Sequence, residues 1–89
     1  MLKLRLYIAG DAPNSLRALA NLKALCRDSL ASVHELEIVD VLRDPQRALA
    51  DGVFLTPTLV KFAPAPERRI VGSLSDLPPV LDALGLTGA

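Results

Sequence analysis

A mixed α/β fold, in the order β-α-β-α-β-β-α, is what this 89-residue sequence predicts. Three observations carry that prediction. The amino end alternates apolar and polar residues with period two, and the next stretch repeats leucine with helical period. Two later β-type runs are joined by a link too short for anything but an antiparallel hairpin.

Leu2, Leu4, Leu6 and Ile8 share one side of the first strand, with Lys3, Arg5 and Tyr7 on the other. Gly10 and Pro13 then punctuate the chain. Leu16, Leu19, Leu22, Leu25, Cys26 and Leu30 recur at helical spacing, so the first helix lays an apolar stripe on the sheet. Asn14 or Ser15 is placed to cap it. A second strand follows over 35–42, where Leu36 and Ile38 give way to Val39 and Val41 as burial becomes two-sided. Asp44-Pro45 starts a helix of barely two turns that stops at Asp51-Gly52. Strands over about 56–63 and 68–73 flank Pro64-Ala65-Pro66. Ser75-Asp76 caps a last helix through Val80, Leu81 and Leu84, which Gly85 closes. A parallel β-α-β half followed by a hairpin and a terminal helix is the thioredoxin-like arrangement, a mixed four-stranded sheet with helices on both faces. With no repeat and no linker-like stretch, one domain is expected over 1–89.

Composition narrows the function. Half the residues are apolar, and ten basic side chains balance ten acidic ones. That excludes intrinsic disorder and the broad positive field of a nucleic-acid binder. Tyr7, Phe54 and Phe62 are the whole aromatic complement, too few for a row of stacking platforms. Cys26 is the one cysteine and has no disulfide partner. No secretory signal is readable and no apolar run approaches the roughly 20 residues of a spanning helix. A cytoplasmic chain without a membrane partner is expected.

Catalytic groups are scarce. Thioredoxin-like enzymes hold a nucleophilic thiol at the amino end of the first helix, where the helix dipole lowers its pKa. That corner here reads Asp11-Ala12-Pro13-Asn14-Ser15 and has no sulfur. Cys26 lies on the apolar stripe as a small buried hydrophobe. His34 stands without a second His or Cys, which suits a surface or capping role rather than a metal site. Glu35 and Glu37 have the spacing of paired carboxylates, yet nothing around them supplies a base or pocket, and a solvated strand face accounts for them. Gly10 and Gly52 belong to no phosphate loop. Arg68-Arg69 reads as a solvated edge pair or as a contact for an anion or acidic partner. Thr56-Pro57 occupies the place of the thioredoxin-like cis-proline loop, and the sequence leaves its isomer open.

Six segments carry a family likeness. The runs 4–10, 13–19 and 38–42, with Thr56-Pro57-Thr58-Leu59, Arg68-Arg69-Ile70-Val71-Gly72 and Leu74-Ser75-Asp76, resemble the KaiB family of circadian clock proteins. They do so in register over nearly the whole chain, and more closely than they resemble the related sensor domain of SasA-type kinases. The resemblance implies a binding module without catalysis or cofactor, docking on a KaiC-type ATPase and recruiting or displacing KaiA and kinase partners. It also implies a second fold, assembled as a tetramer, within a few kcal/mol of the thioredoxin-like one.

Departures from the family pattern bear on that choice. Ala83 replaces a family glycine, and Ala is favoured over Gly inside a helix by roughly 1 kcal/mol. Gly85 places a helix stop at the end, and Pro78-Pro79 suit a first helical turn but would delete ladder bonds inside a strand. The family's acidic tail and the residues before its first strand are not in this sequence. Pro57, Gly72, Pro78, Pro79, Ala83 and Gly85 are thus the expected determinants of fold state, with a largely monomeric thioredoxin-like chain as the outcome. Arg17, Lys61 and Arg69 match family positions that look toward KaiC. Glu35 and Glu37 stand where the family has Ala and Lys, a local reversal that disfavours the same partner surface. The expected contact surface joins the second strand, the amino end of the first helix and the Arg68-Arg69 edge. The other readings are a KaiB-like sensor module in a kinase pathway without KaiC, and a thioredoxin-like or glutathione-using enzyme.

Overall fold

The fold was analysed in a computed structural model that describes residues 2–29 and 34–85. Leu30, Leu86 and the side chain of His34 fall outside the described set. Seven elements follow in the expected order: β1 (Leu2–Ile8), α1 (Pro13–Ser29), β2 (His34–Asp40), α2 (Pro45–Ala50), β3 (Thr58–Ala63), β4 (Arg68–Val71) and α3 (Leu77–Leu84). They form one four-stranded sheet in the order β2-β1-β3-β4. β1 pairs in parallel with β2, while β1–β3 and β3–β4 are antiparallel.

Both faces of the sheet are covered, unequally. On one face Leu2, Leu4, Leu6 and Ile8 of β1 and Leu59 of β3 meet Ala18, Leu22, Leu25 and Cys26 of α1 and Val80 and Leu84 of α3. On the other, Tyr7, Val39 and Val60 meet Ala48 of α2 and Val53 just after it, with Val41 and Phe62 packed at the edge. Tyr7 therefore belongs to a second core, although alternation alone grouped it with the polar side chains Lys3 and Arg5.

Helix ends show where local rules give way. α1 begins at Pro13, whose fixed φ suits the first helical position. Asn14 and Ser15 consequently lie inside the first turn and not at the cap. The Leu16 amide instead donates to the Ala12 carbonyl, and the buried Ser15 hydroxyl accepts the Ala9 amide at 3.0 Å. Leu16 is half exposed because it sits two residues from Ala18, roughly half a turn around the helix. Asp76 holds the N-cap position of α3 without a side-chain cap bond. The reason is chemical: a cap accepts from the second or third amide of the helix, and Pro78 and Pro79 have none to give. Ala83 is buried within α3, and Gly85 ends it at φ 75°, the left-handed turn in which glycine carries no Cβ penalty.

Asp40 and the hairpin base tie the strand ends together. The Asp40 carboxylate accepts the amides of Gly10 and Leu42, each at 3.0 Å. The Thr56–Pro57 peptide is cis, and the Pro57 carbonyl accepts the Gly72 amide at 2.9 Å. β3 starts two residues later than expected, because this loop occupies Thr56 and Pro57, and β4 ends two residues earlier, because the turn into α3 occupies Gly72 and Ser73.

Ser15→Ala is expected to lower stability by about 1 kcal/mol, the cost of leaving a part-buried amide without this acceptor. Urea unfolding would measure it. An unchanged midpoint would mean that the Ala9 amide does not depend on this hydroxyl.

Candidate docking surface

The face of the sheet under α2 concentrates the polar chemistry of the molecule. β1 sends Arg5 and Tyr7 to it, β2 sends Glu35 and Glu37, and β4 sends Arg69. Glu37 accepts a bidentate pair from Arg47 of α2, at 2.5 and 2.8 Å, and a third bond from Arg5 at 2.9 Å. Arg5 also donates to Asp51 at 2.7 Å and stacks over the Phe62 ring, 4.5 Å from its centroid. The Tyr7 hydroxyl donates to the same Asp51 carboxylate. Arg69 closes the far side, donating to the carbonyls of Asp51 at 2.5 Å and Gly52 at 3.0 Å. The bidentate bond from Arg47, with help from Arg5, holds the Glu37 carboxyl down at about 2.

Beside this network lies an apolar rim. Leu49 of α2 and Phe54 and Leu55 of the loop before Pro57 are exposed, as are Leu42 and Val71; Phe54 reaches 79%. Phe54 separates two shallow hollows of ≈ 340 and ≈ 170 Å³, the first backed by Ala48 and Val53 and the second by Thr58, Arg69 and Val71. Polar backbone and charges border the rim, the composition of a protein contact and not of a small-molecule cavity.

The residues expected at a contact surface do not form one patch. Arg17 is exposed on α1. Lys61 and Arg69 lie on adjacent strands as expected, but on opposite faces. Arg69 is paired across the ladder with Val60 and faces α2, whereas Lys61 is paired with Arg68, is buried, and faces α1 and α3. Arg68 reaches Asp82 of α3 at 3.5 Å. Glu35 lies 4.0 Å from Lys3, and Glu37 is held by two arginines, so the two acids are not a free carboxylate pair.

Sequence reasoning missed Arg5, Arg47, Asp51 and the Leu49–Phe54–Leu55 rim. Two signals could have found them. An arginine on a strand with buried neighbours requires an acid nearby, and an adjacent Phe-Leu pair in a loop without periodicity has no core to enter.

Thiol chemistry finds no support. Cys26 is buried in α1, and burial pushes its thiol up. The amino end of α1 offers the hydroxyl of Ser15, already engaged with Ala9. Among the described residues no cluster of three metal-ligating side chains occurs and no helix is long and apolar enough to cross a membrane.

The fold defines a thioredoxin-like protein. The N-terminal domain of Synechococcus elongatus SasA superposes with a TM-score of 0.75 at 24% identity, over 99% of this chain and 87% of that one. Thioredoxin of Malassezia sympodialis gives 0.78 at 18% identity, over 99% and 76%. Within that class the sequence is more specific. A model of the KaiB domain matches residues 5–85. The circadian clock oscillator protein KaiB of Prochlorococcus marinus strain MIT 9313 is 48% identical over 83 residues, 93% of this chain and 70% of that protein. KaiB of Rippkaea orientalis is 48% identical over 83 residues, 93% and 80%. The chain belongs to the KaiB family.

The Glu37 shift has a definite sign. A carboxyl depressed in the folded state stabilises it above the unfolded value of 4.5, and that contribution disappears as pH falls toward about 2. The gap in urea midpoint between the native chain and Glu37→Gln should therefore shrink from pH 5 to pH 2. It should be small throughout, because Glu37 is half exposed. A pH-independent gap would contradict the assignment.

Proposed function

We propose that this chain is a clock-type signalling protein that acts in the cytoplasm by docking, as a monomer and without catalysis of its own, on a KaiC-type ATPase. On this reading SasA-type kinases or KaiA compete for, or are recruited to, the resulting complex. The observation that carries the proposal is the exposed rim of Leu49, Phe54, Leu55 and Val71 next to the Pro57 loop. In thioredoxin-like enzymes that loop presents a substrate to the thiols. Here the corner it faces has no thiol, so the surface retains its recognition role and has no reaction to perform.

The charges of the same face fit this reading. Glu37 is neutralised internally by Arg5 and Arg47 and therefore does not confront a partner as a free acid, despite the reversal from the family pattern. Buried aromatic anchors dominate protein contacts, and Phe54 is the aromatic positioned to enter a partner's pocket.

The test mixes the pure chain with the KaiC-type ATPase of the same organism, with and without nucleotide, and measures complex mass and affinity. A complex should form, and Phe54→Ser should weaken it about thirtyfold, equivalent to ~2 kcal/mol for one anchor. Because Phe54 is exposed, its substitution should leave the far-UV spectrum and the unfolding midpoint unchanged. Binding to a kinase with none to the ATPase would favour the sensor reading. Turnover with glutathione or a disulfide substrate that survives Cys26→Ala would overturn the binding reading.

A further inference from the structure

α2 is held by charge more than by packing. It has six residues, too few to be stable alone, and only Ala48 of them is buried. The apolar cluster beneath it is the smaller of the two cores, and one of its members, Val53, belongs to the loop that follows. Four polar attachments act in addition. Arg47 binds Glu37 of β2 through two bonds, and Asp51 at the carboxyl end of α2 receives both Arg5 and Tyr7 of β1. Arg69 of β4 binds the backbone of Asp51 and Gly52. Arg5 joins the first two attachments, because its guanidinium touches Glu37 and Asp51 together.

We propose that Arg5, Glu37, Arg47 and Asp51 form a latch, and that α2 and the loop to Phe54 open from the sheet as a local unit when it breaks. Two features make the opening reversible. Glu37 and Arg47 are about half exposed, so breaking their pair returns both charges to water and strands neither in the interior. The α1 and α3 side of the sheet shares no side chain with the latch, so the larger core survives the event. Such an opening lies between fraying and global unfolding. It also displaces Leu49 and Phe54, making presentation of the rim depend on the latch; this consequence rests on the docking reading, whereas the latch itself does not.

Amide exchange followed by NMR tests the latch in the free protein. The reporters are the amides of Arg47, Asp51, Gly52 and Val53, bonded to the carbonyls of Asp44, Arg47, Leu49 and Ala48. Glu37→Gln and Arg47→Gln should each speed exchange of these amides about threefold, with the double variant no faster than either single. Raising salt to roughly 0.5 M should speed them in the native chain but not in the variants. Amides of β1 should keep their rates throughout. Unchanged exchange at α2, additive effects of the two substitutions, or equal acceleration in β1 would each overturn the proposal. No partner is needed, so a failure of docking and a failure of the latch remain separate results.

Discussion

The guanidinium of Arg5 is the point on which the α2 side of the molecule depends. It sits on the central strand, stacks on Phe62, pairs with Glu37 on one neighbour and reaches Asp51 at the end of α2. Arginine suits the place because its planar donors serve two carboxylates while its flat face lies on a ring; a lysine offers a point charge and no such plane. Removing it would leave the Asp51 carboxylate with Tyr7 alone and the Glu37 carboxylate with Arg47 alone, loosening α2 from β1. The opposite face needs nothing comparable, since α1 and α3 press two full apolar stripes onto β1 and β3. One sheet thus carries a face that is packed and a face that is tied.

This difference explains where reading from sequence succeeds. The period-two leucines of β1, the α1 stripe, the hairpin around Pro64–Pro66 and the Gly85 stop are local signals, and each element appears in the order they set, with the outer ends of the hairpin strands trimmed by two residues. The thioredoxin-like order follows from them, whereas the KaiB likeness rests on the six motif segments. Failures occur where a residue's role is decided by the groups it meets and not by its own type. Ser15 looks like a cap but serves Ala9, and Asp76 occupies a cap position facing two prolines. Lys61 and Arg69 are adjacent in the ladder, yet the offset of one residue in register turns them to opposite faces. Glu37 reads as a solvated acid until Arg5 and Arg47, from two other elements, are brought to it. The candidate surface was half legible: Arg69 and Glu37 were visible as charges, but the rim was not, since an exposed Phe-Leu pair has no period to betray it.

The chemistry of the thiol and the family both bear on the proposed docking role. A lone thiol is buried and pushed away from ionisation, and the helix corner that would activate one contains a serine engaged with the backbone. Among the described residues an apolar rim is exposed on α2, the loop before Pro57 and β4. On the proposed latch, Leu49 and Phe54 move with α2 and its loop while the larger core stays folded. The arrangement fits the proposed docking role, and the KaiB relatives are clock oscillator proteins.

Methyl NMR of the chain in complex with the KaiC-type ATPase ring tests the central claim, docking through the α2 side, most directly. Leu49, Leu55 and Val71 report on the rim, while Leu16 on α1 and Leu77 on α3 are exposed elsewhere and serve as internal controls. Attenuation or shift of the three rim methyl signals, with Leu16 and Leu77 unaffected, is the predicted result. Perturbation of Leu16 and Leu77 with an unchanged rim would contradict the account.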